Sequence, residues 1–195
     1  MPPYGDGNIV ALGAAVIAWI GLGSAMLASR RSRASEGAGA RRNVASIFGI
    51  VLQGIGIGAA WYGPIHVPRS ITQQTWIEGA PAALLALSGL GLFVWAAAAM
   101  GANWSLVART RSDHELVQSG PFALVRHPIY LALLLLTIAV AMAAGHAWNL
   151  IVAVPLYVIG TLSRIGIEER LLKEAFGPRY EDYARRVKRF VPGII

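Results

Sequence analysis

The stretch PIYLALLLLTIAVAMAAGHAWNLIVAVPLYVIGTLSRIGI, residues Pro128 to Ile167, decides the fold: Arg164 is its only Asp, Glu, Lys or Arg. The tight turn Gly145-His146-Ala147 divides it into one apolar run from Pro128 to about Ala144 and another from about Trp148 to Ile167. A helix needs roughly 20 apolar residues, within a range of about 17 to 25, to cross the hydrocarbon core. Each half therefore reads as one crossing, the first at the short limit, and the turn makes the pair a helical hairpin. Working outward, three more apolar runs precede it, at about Ile9–Ala28, Val44–Ile65 and Ala80–Met100. The expected fold is an all-α integral membrane protein of about five transmembrane helices. It would form a single membrane domain over residues 1–195, with three helices in 1–100 and a catalytic half in 101–195 that ends in a polar tail.

Composition agrees. Hydrophobic residues make up 55% of the chain and charged residues 14%, against about a quarter charged in soluble domains. The absence of cysteine excludes disulfides, thiolate catalysis and Cys-based metal sites. His66, His114, His127 and His146 have no metal-ligand spacing, so no metal site is expected. The net charge of +7 is topological: of the 17 Lys and Arg, all but Arg69 fall in the segments that five crossings would place on one side. The positive-inside rule then puts the N-terminus outside and the tail in the cytoplasm, and nucleic acid need not be invoked. Met1 to Asn8 lacks a basic n-region, so the first apolar run is expected to be a retained helix rather than a cleaved signal.

Trp61, Tyr62, Trp76, Trp104 and Trp148 fall where interfacial aromatics belong. Gly49, Gly54, Gly56 and Gly58 crowd the second apolar run, and Gly54 with Gly58 forms a small-x-x-x-small pair, which predicts close helix packing. The Gly54-Ile55-Gly56-Ile57-Gly58 run is not a dinucleotide loop, because it lies inside an apolar helix rather than at a strand-to-helix turn. Pro155 is expected to kink its helix. The first two apolar runs carry no motif that assigns a role.

The chemistry-bearing residues lie in the second half. His114 to Phe122 (HELVQSGPF) leads into Val125-Arg126-His127-Pro128-Ile129-Tyr130. The last apolar run ends in Arg164-Ile165-Gly166-Ile167-Glu168-Glu169, and the tail continues through Phe176-Gly177, Tyr180, Tyr183 and Arg189-Phe190-Val191-Pro192. Pro128 suits a first helical turn, which puts Arg126 and His127 at a helix N-terminus, where an anion is favoured. Glu168 and Glu169 follow the last run and lie across the hairpin. Arg164, one turn earlier, sits near the membrane boundary, where ionisable groups are costly and are candidates for function. A ligand with both a carboxylate and an ammonium suits this pairing. Singly, each residue has an ordinary reading as a basic anchor, a helix cap, a solvated helix face or a snorkelling arginine. The ordered combination is what points to a site.

That combination, from about Gly101 to Pro192, resembles the isoprenylcysteine carboxyl methyltransferase family and the wider group of small membrane methyltransferases that includes phospholipid methyltransferases. The resemblance implies S-adenosylmethionine as cofactor, a cytosol-facing pocket covered by the tail, and a lipid-side opening for a lipophilic or prenylated acceptor. It implies adenosine contacts from the stretch His114 to Pro121, namely His114, Leu116, Val117, Gly120 and Pro121. It also implies that Arg126, His127, Tyr130 and Glu168 or Glu169 hold the methionine moiety, and that Arg164 faces the acceptor carboxylate. Phe122 departs from a position where the family often has Tyr. A carboxylate acceptor is already ionised at neutral pH and needs no general base; an amine would need one, and Glu168 would be the candidate. The rival readings are an N- or S-methyltransferase on the same scaffold, a sterol-reductase-like membrane enzyme, and a non-enzymatic scaffold or transporter subunit.

Overall fold

The structure, a computed structural model, describes residues 5–31, 45–68, 70–101 and 116–190. These form α1 (Ile9–Arg31), α2 (Ala45–Trp61), α3 (Gln73–Met100), α4 (Pro128–Ala143), α5 (Leu150–Phe176) and α6 (Pro178–Arg186), with 3-10 turns at Gly120–Ala123 and Ala147–Asn149. No named strand occurs among the described residues, only an isolated parallel bridge between Val125 and Lys188. The protein is all-α, as the hydropathy implied.

The packing is that of a bundle dissolved in lipid. Its core is largely alanine: Ala11, Ala15, Ala18, Ala82, Ala86, Ala132 and Ala139 are all buried. Large apolar side chains such as Ile17, Ile20, Leu84, Ile151 and Ile159 point outward. Lipid tails solvate isoleucine as well as a core does, so helices associate through small residues that let backbones approach. Three helices are long and apolar enough to cross a membrane: α1, α3 and α5 with its preceding turn. The other two apolar helices, α2 and α4, are shorter.

Helix α4 is the central post, in contact with α1, α2, α3 and α5. Its main neighbour is α3, whereas α5 lies chiefly against α2. The expected hairpin of the last two crossings is therefore confirmed in connectivity, through a turn at Gly145 with φ 77°, but its two arms pack mainly on other helices. The close approach also differs from expectation. A Cβ on Gly54 or Gly58 would meet nothing within 4 Å. The α2–α5 seam is instead built on Gly49, Gly56 and Gly160: a Cβ on Gly160 would stand 2.7 Å from the Gly49 carbonyl, and one on Gly56 would stand 2.8 Å from the Ala153 carbonyl. Gly49 and Gly56 are seven residues apart and share a helix face, which Gly54 and Gly58 do not occupy.

Two further boundaries differ from the hydropathy reading. Helix α3 begins at Gln73 because Thr72 caps it, exchanging hydrogen bonds with Thr75 in a capping box. Helix α5 runs through Pro155 without a break and continues past Ile167 to Phe176, so Glu168 and Glu169 belong to its last turns rather than to a separate tail helix. Gly177, at φ 51°, ends it, and Pro178 starts α6.

Helix lengths then set the depth of the site. At 1.5 Å per residue, the 16 residues of α4 rise about 24 Å and the 27 of α5 about 40 Å. Because α4 ends and α5 begins at the tight turn, the far end of α4 at Pro128 lies about 16 Å short of the far end of α5. The segment 116–127, the end of α5 and α6 fill the space beneath it.

Candidate functional site

At the recessed end of α4, three arginines and two glutamates converge from α4's approach, α5 and the tail. Each carboxylate has its own set of partners.

Glu169 pins the tail. Its Oε1 accepts from Arg126 Nη2 at 2.9 Å and from Arg189 Nε at 3.0 Å, and its Oε2 accepts from Arg189 Nη2 at 2.6 Å. His127 Nε2 lies 3.3 Å from the same Oε1. Arg126 is also committed to the tail backbone, donating from Nη1 to the Ala184 carbonyl at 2.6 Å and the Val187 carbonyl at 2.8 Å. The backbone completes a strap: Arg126 N–H donates to Lys188 O at 2.7 Å and His127 N–H to Arg189 O at 3.1 Å. Tyr183, on the buried face of α6, donates to the Phe122 carbonyl at 2.7 Å. Burial pushes the Tyr183 hydroxyl up to about 12, against a lowering by Arg126, so it remains a donor at neutral pH. The hydrogen bonds to Glu169 raise the Arg189 guanidinium above its ordinary value.

Glu168 faces inward. Its Oε1 accepts from the Tyr130 hydroxyl in a short hydrogen bond and lies 3.6 Å from Arg164 Nη2, its neighbour one helical turn back. Its Oε2 is 3.9 Å from His127 Nδ1. The Glu168 side chain is 25% exposed against 12% for Glu169, so Glu168 is the carboxylate more open to a ligand. Arg164 is buried, its guanidinium 5.1 Å from the Tyr130 ring centroid. Tyr130 is fixed in turn, because Tyr157 on α5 donates to its carbonyl at 2.8 Å.

The stretch from Leu116 to Gln118 is half-buried and non-helical. It leads to Gly120 at φ 60°, where a Cβ would come within 3.2 Å of Trp95 and Ala99 on α3. Pro121 and Phe122 are buried in the 3-10 turn. With an apolar ring at position 122, the contact to the tail is made by its carbonyl. Of the residues expected from sequence, Arg126, His127, Tyr130, Arg164, Glu168 and Glu169 share one cluster. Leu116, Val117, Gly120 and Pro121 lie on the segment that leads into it, and His114 lies outside the described residues.

Sequence reasoning missed Gln53 and Thr161, and it gave no role to Arg189 within the tail run that it singled out. Arg164 Nη1 donates to Gln53 Oε1 at 2.9 Å, and Gln53 Nε2 donates to Thr161 Oγ1 at 2.7 Å. The available signal was a lone amide in the middle of the apolar run of α2, since a polar group at membrane depth must find a partner. Nothing in the spacing of Arg189 distinguishes it from its basic neighbours.

Formally the cluster holds Arg126, Arg164 and Arg189 against Glu168 and Glu169, which leaves one positive charge over when His127 is neutral. Arg126 Nε is a buried donor that meets no acceptor among the described residues. A surplus cation, a spare buried donor and a partly open carboxylate together fit a zwitterionic ligand.

Residues 82–174 match the family model described as isoprenylcysteine carboxyl methyltransferase (ICMT) family. That segment is similar to the ICMT family. It runs from α3 to the last turns of α5 and includes both glutamates and Arg164, whereas Gln53 and the strap residues Tyr183 and Arg189 lie outside it. The chain is also 34% identical over 122 residues to the cobalt-zinc-cadmium resistance protein CzcN of Cupriavidus metallidurans, covering 62% of this chain and 53% of that protein. It is 33% identical over 129 residues to the nickel-cobalt-cadmium resistance protein NccN of Alcaligenes xylosoxydans xylosoxydans, covering 62% and 54%. To protein-S-isoprenylcysteine O-methyltransferase B of Arabidopsis thaliana it is 30% identical over 86 residues, 44% of each. The chain thus spans about half the length of the curated relatives it matches. The ICMT-family match and three described helices apolar enough to cross a membrane agree with a multi-pass membrane protein.

Proposed function

We propose that this protein is an S-adenosylmethionine-dependent membrane methyltransferase that methylates the carboxylate of a lipophilic acceptor, such as a prenylated cysteine. The observation that carries the reading is the recessed cluster at the foot of α4, with its one surplus positive charge and a partly open Glu168. The match of residues 82–174 to the ICMT family supports the same chemistry.

The cofactor would supply an electrophilic methyl group on a sulfonium. Glu168 would accept its ammonium, and His127 and Arg126 Nε would face its carboxylate. Leu116, Val117, Gly120 and Pro121 would line the adenosine. Arg164 would hold the acceptor carboxylate in line with the methyl group. An ionised carboxylate needs no base, so the chain's contribution is alignment and exclusion of water, and proximity of this kind is worth about 7–11 kcal/mol. Arg164 shares its charge with Glu168 and Gln53, which lets it orient the nucleophile without fully quenching it. The acceptor would reach it from the bilayer. By the positive-inside rule the arginine-rich end faces the cytosol.

Glu169 has a different role in this reading. Three side chains already occupy it, so it holds the tail over the site, and of the two glutamates Glu168 is the one that meets the cofactor. The metals in the names of two relatives are not carried over, because among the described residues no group of three or more His, Asp or Glu is placed to hold an ion.

Calorimetry of S-adenosylmethionine on detergent-purified protein, paired with turnover on a farnesylated cysteine, tests the reading. Wild type is expected to bind. Arg164→Ala should bind the cofactor within about threefold of wild type yet turn over about 10²–10³-fold more slowly, as for loss of one oriented charged donor. Absence of binding by folded wild type overturns the proposal.

A further inference from the structure

We infer that Gln53, on a helix outside the ICMT-family segment, is the positioning residue that aims Arg164 at an acceptor carboxylate. This rests on the methyltransferase reading only for the identity of the acceptor; the anion-orienting role stands on the geometry.

The orientation of the amide follows from hydrogen-bond chemistry. Arginine has no acceptor, so the group facing Arg164 Nη1 at 2.9 Å must be the Gln53 carbonyl oxygen. That turns the Gln53 amide nitrogen toward Thr161 Oγ1 at 2.7 Å. Thr161 and Arg164 lie one turn apart on α5, so Gln53 bridges two positions of the facing helix. Gln53 is 4% exposed, Thr161 3% and Arg164 5%. At such depth the alternative to this network is an unsatisfied polar group, which holds the geometry.

Seam geometry makes the reach possible. Gly49 and Gly56 lie one turn to either side of Gln53 on the same face of α2, and each brings its backbone against α5. A larger residue at either position would lift the amide away. Gln53 also leaves the charge on Arg164 intact. A carboxylate in its place would neutralise the guanidinium, and a second cation would repel it. A neutral acceptor fixes one arm of the fork, at Nη1. The other faces Glu168 at 3.6 Å, on the side of the site where an acceptor carboxylate would stand. The structure thus assigns to Gln53 the discrimination between an acid and its neutral ester.

The test compares binding of N-acetyl-S-farnesylcysteine with that of its methyl ester, by intrinsic tryptophan fluorescence of the full chain in detergent. Wild type should prefer the acid. Gln53→Met keeps the shape and removes the acceptor, and should reduce that preference about tenfold, as for loss of a hydrogen bond to a charged group. Gln53→Glu should abolish it. Ester binding should stay within about twofold in both, which a merely structural defect would not produce. S-adenosylmethionine calorimetry on the same samples separates the two readings. If cofactor binding persists while Gln53→Met and Gln53→Glu keep the wild-type preference, or if wild type has no preference to lose, the role of Gln53 is overturned and the methyltransferase reading stands. If the preference falls as expected but no variant or wild type binds cofactor, the role of Gln53 stands and the methyltransferase reading fails.

Discussion

The two ends of the bundle are both polar, yet they use polarity differently. At the His146 end, the side chains of Asn8, His146 and Asn149 pair with backbone groups. Asn8 caps α1, its Oδ1 accepting from Val10 and Ala11 N–H at 3.1 Å each, and its Nδ2 donates to the Thr75 carbonyl at 2.8 Å. His146 Nε2 is 3.0 Å from the Pro64 carbonyl. Asn149 donates to the carbonyls of Ala59 and Tyr62 at 2.9 and 2.6 Å. Each of these residues closes a helix end or a turn. At the Arg126 end, side chains meet side chains, most are charged, and the charges do not cancel. Orphan backbone groups at helix termini explain the first pattern completely. They do not explain buried arginines and glutamates packed against one another, which are costly unless paired. Polar residues near a membrane boundary therefore point to a site when they face one another with charge left over.

The comparison breaks most severely where the site depends on the seam. Gly160→Leu should separate α2 from α5, because even a Cβ there stands 2.7 Å from the Gly49 carbonyl. The expected result is loss of monodisperse protein on size exclusion in detergent. Gly58→Leu, on an open face of α2, should elute as wild type. If both behave alike, the seam does not control the packing.

A second prediction separates the two carboxylates. Glu168→Gln should weaken S-adenosylmethionine binding about tenfold or more, since a charged hydrogen bond is worth about 1.5–3 kcal/mol, while leaving the tail protected. Glu169→Gln should release the strap instead, read as faster proteolytic cleavage between Val187 and Phe190. Equal protection in the two variants would remove the division of labour.

The smallest effect belongs to the His146 end. Asn149→Ala should cost about 1–3 kcal/mol of stability, as for two backbone carbonyls left short of a donor, seen as a lower unfolding temperature. Cofactor affinity should not change; a drop there would show that the two ends are coupled.

Most of the fold was legible because a membrane simplifies the reading. Backbone hydrogen bonds must close within helices, so apolar length and arginine placement suffice to propose crossings. The motif residues on either side of the last two apolar runs were legible for the same reason: charge beside a crossing is rare enough to notice. Apolar length alone misplaced the end of α5, because Arg164, Glu168 and Glu169 lower the hydropathy of a helix that continues to Gly177. Composition also misplaced the glycine contact, since Gly54 and Gly58 satisfy the same spacing as a true contact pair but face away from α5.

The sequence by itself determined the all-helical class, the apolar helices, and which residues carry charge at their ends. Tertiary structure alone decided that Glu169 is tied to the tail while Glu168 is the more exposed of the two, and that Gln53 of an otherwise unremarked helix holds Arg164. The reason is physical: helical periodicity and hydropathy are local along the chain, whereas the partner of a buried charge is set by which backbones come close enough to share it, here across more than a hundred residues of sequence.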